Sequence, residues 1–316
     1  MVTKSSVLDR GRVLSRVAMG RALDLVPLSA IRGAQRRGVL RSVLRHRDLS
    51  GMGTVTVPGP HGIRLAAVDS RLVRLLYWYG EEAIEGHEVH WWRHFCTHAT
   101  AILEVGANIG YYTVQGALAA PTVPYRAVEA HPTSAATVRR NLELNRITNV
   151  DLVEAAAVGS PDITSVELAL PELERYATPT GAFVRDATEG VEARRPASGS
   201  ITVPAVPATE LADGVDLVKL DIEGSEHLVL EPILDPLVER RATILVEVLR
   251  ETPKLRALLA GLAERSYRFW VVADVTLMEI DATALLRDDL LTVHGSRDIA
   301  VIPAEREDLL TLAPED

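Results

Sequence analysis

The sequence contains one cysteine, few aromatic residues and no long apolar run, and each scarcity excludes a class of protein. Cys96 is the single cysteine, so an intrachain disulfide is impossible and a reducing cytoplasm is the expected compartment. No stretch reaches the roughly 18 apolar residues of a membrane-spanning helix. The charged amino terminus also lacks the apolar centre of a signal peptide. We therefore expect a cytoplasmic protein without a transmembrane segment.

Lysine is also scarce, and positive charge is unevenly placed. The lysines are Lys4, Lys219 and Lys254, so arginine carries nearly all the basic charge. Residues 1–50 hold eleven basic and three acidic residues, which is +8 within an overall net charge of −9. The rest of the chain is therefore acidic, at −17. A nucleic-acid-binding protein needs a basic body, so that class of function is not expected.

Length and composition predict one large domain with an appendage. The 316 residues exceed the usual size of one domain but fall short of three. Helical spacing of apolar residues among arginines predicts a basic helical appendage over 1–50, followed by a main domain over 51–316. Residues 171–200, rich in Pro, Gly, Thr and Arg, are typical of a long functional excursion such as a lid.

Short apolar runs alternate with helical patterns after about residue 100, where the core of the main domain is expected to begin. Strands are predicted at 101–105, 124–130, 151–158, 216–222, 243–248, 267–275 and 298–303. Helices are predicted at 111–120, 132–145, 225–233 and 253–265. This alternation predicts an α/β fold with a mostly parallel sheet and helices on both of its faces.

A glycine-containing turn follows the first of these strands. Gly106 and Gly110 let the backbone turn tightly and approach a ligand at the carboxyl end of the strand. Glu129 ends the second strand, where an acid can accept hydrogen bonds from both ribose hydroxyls of a nucleotide cofactor. Glu104 immediately precedes the turn. A buried ion pair for Glu104, and a helix N-terminal role for Glu129, are the structural alternatives.

Glu104, the acid that precedes the turn, distinguishes between two cofactors. A pyrophosphate at this turn would be repelled by Glu104, whereas the ammonium and sulfonium of S-adenosylmethionine would be attracted. Asn108 also replaces the middle glycine that admits a pyrophosphate in dinucleotide-binding turns. The turn therefore favours S-adenosylmethionine over a nicotinamide cofactor.

Four segments together resemble the FkbM family of S-adenosylmethionine-dependent methyltransferases. They are EVGANIGYYT at 104–113, VEAHP at 128–132, NLELN at 141–145 and VKLDIEGSEHLVL at 218–230. The resemblance extends over about residues 75–302. It implies a class I methyltransferase (Rossmann-like) seven-stranded sheet, and methyl transfer to a hydroxyl oxygen of a sugar, lipid or natural product.

The resemblance also assigns cofactor-binding residues. It implies that Glu104, Gly106, Asn108 and Gly110 bind the methionine part of the cofactor and that Glu129 binds the ribose. The chain departs from the family in having Glu104 where aspartate is frequent, and His131 near the position where proline is common. No carboxylate follows the third strand, so adenine would be held by backbone groups near Ala156 and Ala157 and by apolar contacts.

Acidic residues cluster at the end of the fourth predicted strand. Strand alternation places Lys219, Asp221 and Glu223 on one side of the sheet, and Gly224 then permits the turn into a helix. Asp221 or Glu223 is expected to act as the base that takes the acceptor's proton, with Lys219 holding a neighbouring acid ionised or binding the acceptor. Their alternatives are a polar clamp, an ion pair or a divalent metal site, of which the metal is not favoured.

Further candidates lie beside this cluster. His227 is a second candidate base, and Glu226 is expected to bind the acceptor unless it only satisfies a helix N-terminus. Glu247, at the end of the fifth strand, is expected to bind the acceptor or to be a structural charge.

Four histidines lie at helical spacing in a short stretch before the glycine turn. They are His87, His90, His94 and His98, and pairs four residues apart suit a transition metal. Aromatic residues interleave with them, so His87 and His90 are expected to line the acceptor pocket instead. Glu81, Glu82, Glu85 and Glu88 are further candidates for binding acceptor hydroxyls.

These features favour an O-methyltransferase acting on a small-molecule or glycoside acceptor. The alternatives are a non-catalytic binding protein on the same fold, methyl transfer to a carboxylate, nitrogen, sulfur or carbon atom, and a nicotinamide-dependent oxidoreductase. The sequence leaves the acceptor and the oligomeric state open, a homodimer included.

Overall fold

The computed structural model describes residues 49–57, 62–81, 88–171, 178, 181–184, 197–273 and 275–312. The chain divides into two compact units, Met1–Ile84 and Glu85–Asp316. The expected appendage over 1–50 lies almost wholly outside the described residues, so the boundary near residue 51 stays a prediction. Among the residues described, no helix is both long and apolar enough to cross a membrane.

The described part of the first unit contains one antiparallel strand pair and one helix. Strand β1 (Thr54–Thr56) pairs with β2 (Arg64–Ala66), and helix α1 spans Arg71–Tyr79. Asp69, just before this helix, forms an ion pair with Arg74 in its first turns. Apolar side chains of α1, including Leu76 and Trp78, are buried.

The second unit contains the remaining elements. Its strands are β3 (Ile102–Val105), β4 (Tyr125–Val128), β5 (Val150–Val153), β6 (Ala156–Val158), β7 (Ser165–Pro171), β8 (Phe183–Val184), β9 (Ala197–Pro207), β10 (Leu217–Leu220), β11 (Thr243–Glu247), β12 (Tyr267–Val271), β13 (Met278–Ile280) and β14 (Asp298–Pro303). Its helices are α2 (Glu88–Thr97), α3 (Tyr111–Ala119), α4 (Pro132–Asn145), α5 (Ala208–Leu211), α6 (Glu226–Leu230), α7 (Leu234–Glu239), α8 (Pro253–Gly261), α9 (Ala282–Leu285) and α10 (Leu290–His294). Single 3₁₀ turns follow α6 and α8 directly.

Eight strands form the main sheet, in the order β13-β12-β14-β11-β10-β3-β4-β5. The five strands from β11 to β5 are parallel, and β14 runs antiparallel to both of its neighbours. This confirms the expected class I methyltransferase architecture, in which the seven predicted strands form the sheet and the short hairpin strand β13 extends its edge. Strands β3 and β10 are buried along their whole length, although each contains one charged residue, Glu104 in β3 and Lys219 in β10.

A second sheet, with the order β6-β9-β7-β8, was not predicted. The third predicted strand, 151–158, is two strands: β5 belongs to the main sheet and β6 to the second one. The segment 171–200, predicted to be an excursion, contributes the end of β7, all of β8 and the start of β9 where it is described. Its other residues lie outside the described part of the chain.

The topology places a crevice between β3 and β10. From β3 the chain continues outward to β4 and β5, and it later returns to the other side of β3 to form β10 and β11. The connections of β3 and β10 therefore leave the sheet in opposite directions, which opens a ligand-binding crevice at their carboxyl ends. Asp216 fixes the other end of these strands, since its carboxylate accepts hydrogen bonds from the backbone N–H groups of Thr100 and Ala101 at 2.9–3.0 Å.

Candidate active site

A cleft of about 710 Å³, partly open to solvent, lies at the carboxyl ends of β3, β4 and β10. Its walls come from both sheets. They are formed by Val105, Gly106, Asn108, Val128, Glu129, Ala130, Ala155, Ala156, Ala157, Leu168, Ala182, Phe183, Val184, Asp221, Ile222 and Glu223. The cleft therefore brings together the predicted turn, the predicted ribose acid and two of the predicted catalytic acids.

The turn after β3 can be built only with glycine at position 106. Gly106 has φ +94°, and a Cβ there would lie 2.0 Å from the carbonyl oxygen of Asp221. Its N–H donates to the carbonyl of Val128 at 2.9 Å, which ties the turn to β4. Gly110, with φ +77°, caps α3 in the left-handed conformation. The turn is thus packed directly against the strand end that carries Asp221.

Asn108 lies in this turn with φ +53°, a conformation that asparagine tolerates better than most residues. Its backbone N–H donates to Oε2 of Glu129 at 2.7 Å. Its side-chain Oδ1 is buried and has no hydrogen-bond partner among the residues described. A buried acceptor of this kind is costly unless a ligand or water donates to it.

Glu129 is buried at the rim of β4 and is fixed by two backbone donors. Oε2 accepts from Asn108 N–H, and Oε1 accepts from His131 N–H, both at 2.7 Å. Burial raises the pKa of Glu129 to about 7, although these two hydrogen bonds oppose the shift. Each carboxylate oxygen keeps a second lone pair, so the side chain can also accept hydrogen bonds from a ligand in the cleft.

The wall beyond Glu129 is apolar. Ala156, which was predicted to contact adenine, lines the cleft beside Ala155 and Ala157. Leu168 and Phe183 of the second sheet lie on the same cleft and were missed by sequence reasoning, because their strands were not predicted. The side chains on this wall can offer a flat base apolar contact.

Glu104 does not line the cleft. Its carboxylate is buried, and its Oε2 accepts hydrogen bonds from the hydroxyls of Thr113 at 2.7 Å and Tyr125 at 2.6 Å. Burial raises the pKa of Glu104, while these hydroxyls and Lys219 act in the opposite direction. The carboxylate is thus hydrogen-bonded to two hydroxyl groups and not held in the ion pair of the structural alternative. Its role towards the cofactor stays a prediction.

Lys219 and Asp221 meet at the end of β10. Nζ of Lys219 lies 3.4 Å from Oδ2 of Asp221 and 3.4 Å from Oε1 of Glu88. Burial on its own lowers the pKa of Lys219, but four carboxylates, of which Glu88 and Asp221 act most strongly, hold it well above the usual value. Asp221 reaches the cleft, whereas Lys219 lies behind it with 4% of its surface exposed.

Of the candidates that follow Asp221 in the chain, Glu223 lies on the cleft, whereas Glu226 and His227 do not line it. Glu223 lines the cleft with φ +57°, so the strand alternation that predicted its direction ends before it. Glu226 is fully buried, and its Oε1 accepts from the N–H groups of Ile222 and Gly224, both at 3.0 Å. Burial raises the pKa of Glu226 to about 7. His227 lies away from the cleft, in a small depression formed with Gly224 and the start of α8.

Glu247 stands at the end of β11, directly opposite Asp298 of the antiparallel strand β14. Its Oε1 accepts a hydrogen bond from Nε of Arg297 at 2.6 Å. Burial raises the pKa of Glu247 to about 7, and burial also raises that of Asp298. Arg297 and Asp298 were not among the predicted site residues. The strand that Asp298 begins was predicted, but no local motif places its start beside Glu247.

The histidine cluster is only partly described. His87 lies outside the described residues, and Nδ1 of His90 lies 3.1 Å from Arg93. The rings of His94 and His98 are 4.5 Å apart. Within the described ranges, no group of three or more His, Cys, Asp or Glu side chains could hold a metal ion. The acceptor-binding roles of His87 and His90 stay predictions.

The chain matches the family described as "Methyltransferase FkbM domain" over residues 104–269. This match covers just over half of the chain and includes every residue that lines the cleft. A comparison with curated proteins finds no match.

Solved structures include distant likenesses. The FkbM methyltransferase of Methylobacillus flagellatus KT is 12% identical with a TM-score of 0.39, over 65% of this chain and 43% of that one. The present chain thus spans less than half of that protein. The O-methyltransferase of Bacillus cereus in complex with SAH is 11% identical with a TM-score of 0.37, over 68% of this chain and 80% of that one. The O-methyltransferase TomG of Streptomyces achromogenes is 15% identical with a TM-score of 0.37, over 70% of this chain and 80% of that one.

Proposed function

This chain belongs to the FkbM methyltransferase family, and we propose that it transfers a methyl group from S-adenosylmethionine to a hydroxyl oxygen of a sugar, lipid or natural-product acceptor. The observation that carries the proposal is the presence, in one cleft, of the glycine turn, Glu129 and Asp221. The first two suit a nucleoside, and the third suits a hydroxyl that must lose a proton.

The cleft fits the cofactor in three respects. Glu129 offers two fixed carboxylate oxygens to the ribose hydroxyls, and the alanine and phenylalanine wall offers apolar contact to adenine. The buried Oδ1 of Asn108 needs a donor, which the ammonium of the methionine part can supply.

S-adenosylmethionine, when bound, supplies a methyl group that is already activated by a sulfonium. The protein therefore has to orient the acceptor, exclude water and accept the proton that the hydroxyl releases. Asp221 is the proposed base because it lines the cleft with 40% of its side chain exposed. Glu223 is the neighbouring acid on the same cleft, and we assign it to binding an acceptor hydroxyl.

The charge of the site also favours this cofactor over a dinucleotide. Asp221, Glu223 and Glu129 all face the cleft. A pyrophosphate placed there would be repelled by them, whereas a sulfonium and an ammonium would be attracted. A hydroxyl acceptor is favoured over an already nucleophilic amine or thiol because the cleft offers carboxylates that can accept a proton.

Calorimetry with S-adenosylmethionine and S-adenosylhomocysteine tests the cofactor assignment. We expect both to bind, and Glu129→Gln to weaken binding about tenfold or more through loss of a charged acceptor. Glu143→Gln, an exposed glutamate of α4, is the matched control and should bind like the wild type. Absence of binding by either ligand would overturn the proposal.

The acceptor can be sought by deleting the gene and comparing extracts by mass spectrometry. Products that become lighter by one methylene unit identify the acceptor class. Fragmentation that places the methyl group on nitrogen, sulfur, carbon or a carboxylate would contradict the proposed hydroxyl chemistry while leaving the cofactor assignment in place.

A further inference from the structure

Lys219 is a buried cation shared by two carboxylates. Its Nζ lies 3.4 Å from Glu88, 3.4 Å from Asp221 and 4.4 Å from the centre of the Tyr112 ring. A buried ammonium persists in a protein only when such partners replace its hydration. Because the two carboxylates lie at equal distances from Nζ, the ammonium forms an ion pair with both of them.

Glu88 is itself held in place from three sides. It lies in the first turn of α2, where the helix dipole favours a negative charge. Its Oε2 accepts the hydroxyl hydrogen of Tyr112 at 2.7 Å, while its Oε1 faces Lys219. Its side chain is buried, so solvent screens these interactions little. Tyr112 thus anchors Glu88 by its hydroxyl and contacts Lys219 by its ring.

Asp221 is held on one side only. Among the described residues, Lys219 is the one side chain within hydrogen-bond or ion-pair distance of its carboxylate. The remainder of that carboxylate faces the cleft. Its orientation towards a ligand therefore depends on where the ammonium of Lys219 is fixed.

We propose that Glu88 and Tyr112 are positioning residues, which fix the ammonium of Lys219 so that it presents the carboxylate of Asp221 to the cleft. This inference rests on the proposed function for the role of Asp221 as a base. Glu88 lies outside the region matched by the family, at residues 104–269. No motif in the sequence connects it with Asp221, which is 133 positions further along the chain.

Glu88 and Asp221 both interact with the same ammonium, since Nζ of Lys219 lies 3.4 Å from each carboxylate. Other charged groups act on the same pair from neighbouring strands. They are Glu104 on β3, Glu247 on β11, and Arg297 and Asp298 at the start of β14.

Nuclear magnetic resonance tests the inference without an acceptor. The chain has three lysines, so protein labelled with ¹³C at the lysine ε carbon gives three signals. Lys4→Arg and Lys254→Arg assign two of them and leave the third to Lys219. In a second sample labelled at the aspartate carboxyl carbon, Asp221→Asn identifies the signal of Asp221. All samples are saturated with S-adenosylhomocysteine and compared at one pH.

Two variants separate charge from anchoring. Glu88→Gln removes a negative charge and should shift both the carboxyl signal of Asp221 and the ε-carbon signal of Lys219, because only one of the two ion-pair partners of the ammonium then remains. Tyr112→Phe keeps every charge and the ring but removes the hydroxyl that anchors Glu88. It should merge the two inequivalent ε-methylene proton signals of Lys219 as the side chain gains mobility.

Controls match each variant. Glu143→Gln removes an exposed carboxylate. Tyr267→Phe removes a buried hydroxyl that has no hydrogen-bond partner among the residues described. Both should leave the signals of Lys219 and Asp221 unchanged.

The outcomes are distinct. Signals of Lys219 and Asp221 that stay unchanged in both Glu88→Gln and Tyr112→Phe would overturn the inference. If Glu88→Gln does not fold, Tyr112→Phe decides the question by the mobility of Lys219 alone. Failure of the wild type to bind S-adenosylhomocysteine would reject the proposed function, while the same spectra of ligand-free protein would still test the contacts among Glu88, Tyr112 and Lys219.

Discussion

The pH dependence of nucleoside binding follows from the environment of Glu129. Its carboxyl group has a pKa of about 7, raised by burial and lowered in part by the N–H groups of His131 and Asn108. The ionised form is the better acceptor for ribose hydroxyls. Because protonation removes that form, affinity should fall as the pH falls through 7.

The size of the effect can be calculated from this pKa. With a pKa of about 7, about nine tenths of Glu129 is ionised at pH 8 and about one tenth at pH 6. If only the ionised form binds, the Kd rises about tenfold between these pH values, which is about 1.4 kcal/mol. Lowering the pH by one further unit, from 6 to 5, should raise the Kd by nearly another factor of ten.

Calorimetry with 5′-methylthioadenosine measures this effect cleanly. This ligand has the adenine and ribose of the cofactor but no amino acid group that would itself titrate between pH 6 and 8. Glu129→Gln should bind weakly at both pH values and show little pH dependence. Glu143→Gln should reproduce the tenfold change.

Two results would refute the reasoning. A wild-type Kd that is constant from pH 6 to pH 8 would mean that Glu129 either does not contact the ribose or does not titrate in this range. A tenfold change that persists in Glu129→Gln would assign the titration to another group.

Four further predictions concern stability, catalysis and reactivity. Gly106→Ala should lower the free energy of unfolding by about 4 kcal/mol or more in urea titrations, because the new Cβ meets the carbonyl of Asp221. Gly261→Ala, at a helix end with open space around it, should change it by less than about 1 kcal/mol, and an equal loss in both variants would contradict the argument. For Glu226, the raised folded-state pKa means that protonation stabilises the fold fully below about pH 4.5, and that this stabilisation is lost as the pH rises through 7. Glu226→Gln should therefore be up to about 3 kcal/mol more stable than the wild type at pH 8 and nearly equal at pH 5, and equal stability at both pH values would refute it. Asp221→Asn should lower kcat about 100-fold with the identified acceptor while the Kd for S-adenosylhomocysteine changes by less than about threefold, and an unchanged kcat would remove it as the base. Burial raises the pKa of the Cys96 thiol, so Ellman's reagent should react with it only after unfolding, and rapid reaction in native buffer would contradict its burial.

The main sheet could be predicted because its strands carry strong local signals. Strands β3 and β10 are mostly apolar, with one charged residue each, and glycines mark the turn where the chain leaves β3. The position of Glu129 at the cleft could be predicted for the same reason, since parallel strands end at one edge and the acid follows a recognisable strand.

The second sheet could not be predicted because its strands lack such signals. Strand β9 contains prolines and small residues, and β8 has only two residues, so neither shows a clear alternation. Their pairing depends on contacts with β6 and β7, which hydrophobic periodicity along the chain does not reveal. The apolar wall formed by Leu168 and Phe183 was missed as a consequence.

The charged side chains around Asp221 could not be predicted from the sequence either. Glu88 and Asp298 reach Lys219 from helix α2 and strand β14, at opposite ends of the domain sequence. Glu104 lies on the expected strand, but its hydrogen bonds to Thr113 and Tyr125 depend on side-chain packing. Local pattern identified the acids and did not identify their partners.

The contact between Gly106 and Asp221 restricts how the active site can be altered by evolution or by engineering. The turn and the end of β10 also share the hydrogen bond from Asp221 N–H to the carbonyl of Val105, at 3.1 Å. A displacement of one backbone segment therefore displaces the other. New acceptor preferences are consequently expected to arise from substitutions elsewhere on the rim, such as at Val184 of the second sheet, where the cleft wall can change without moving Asp221.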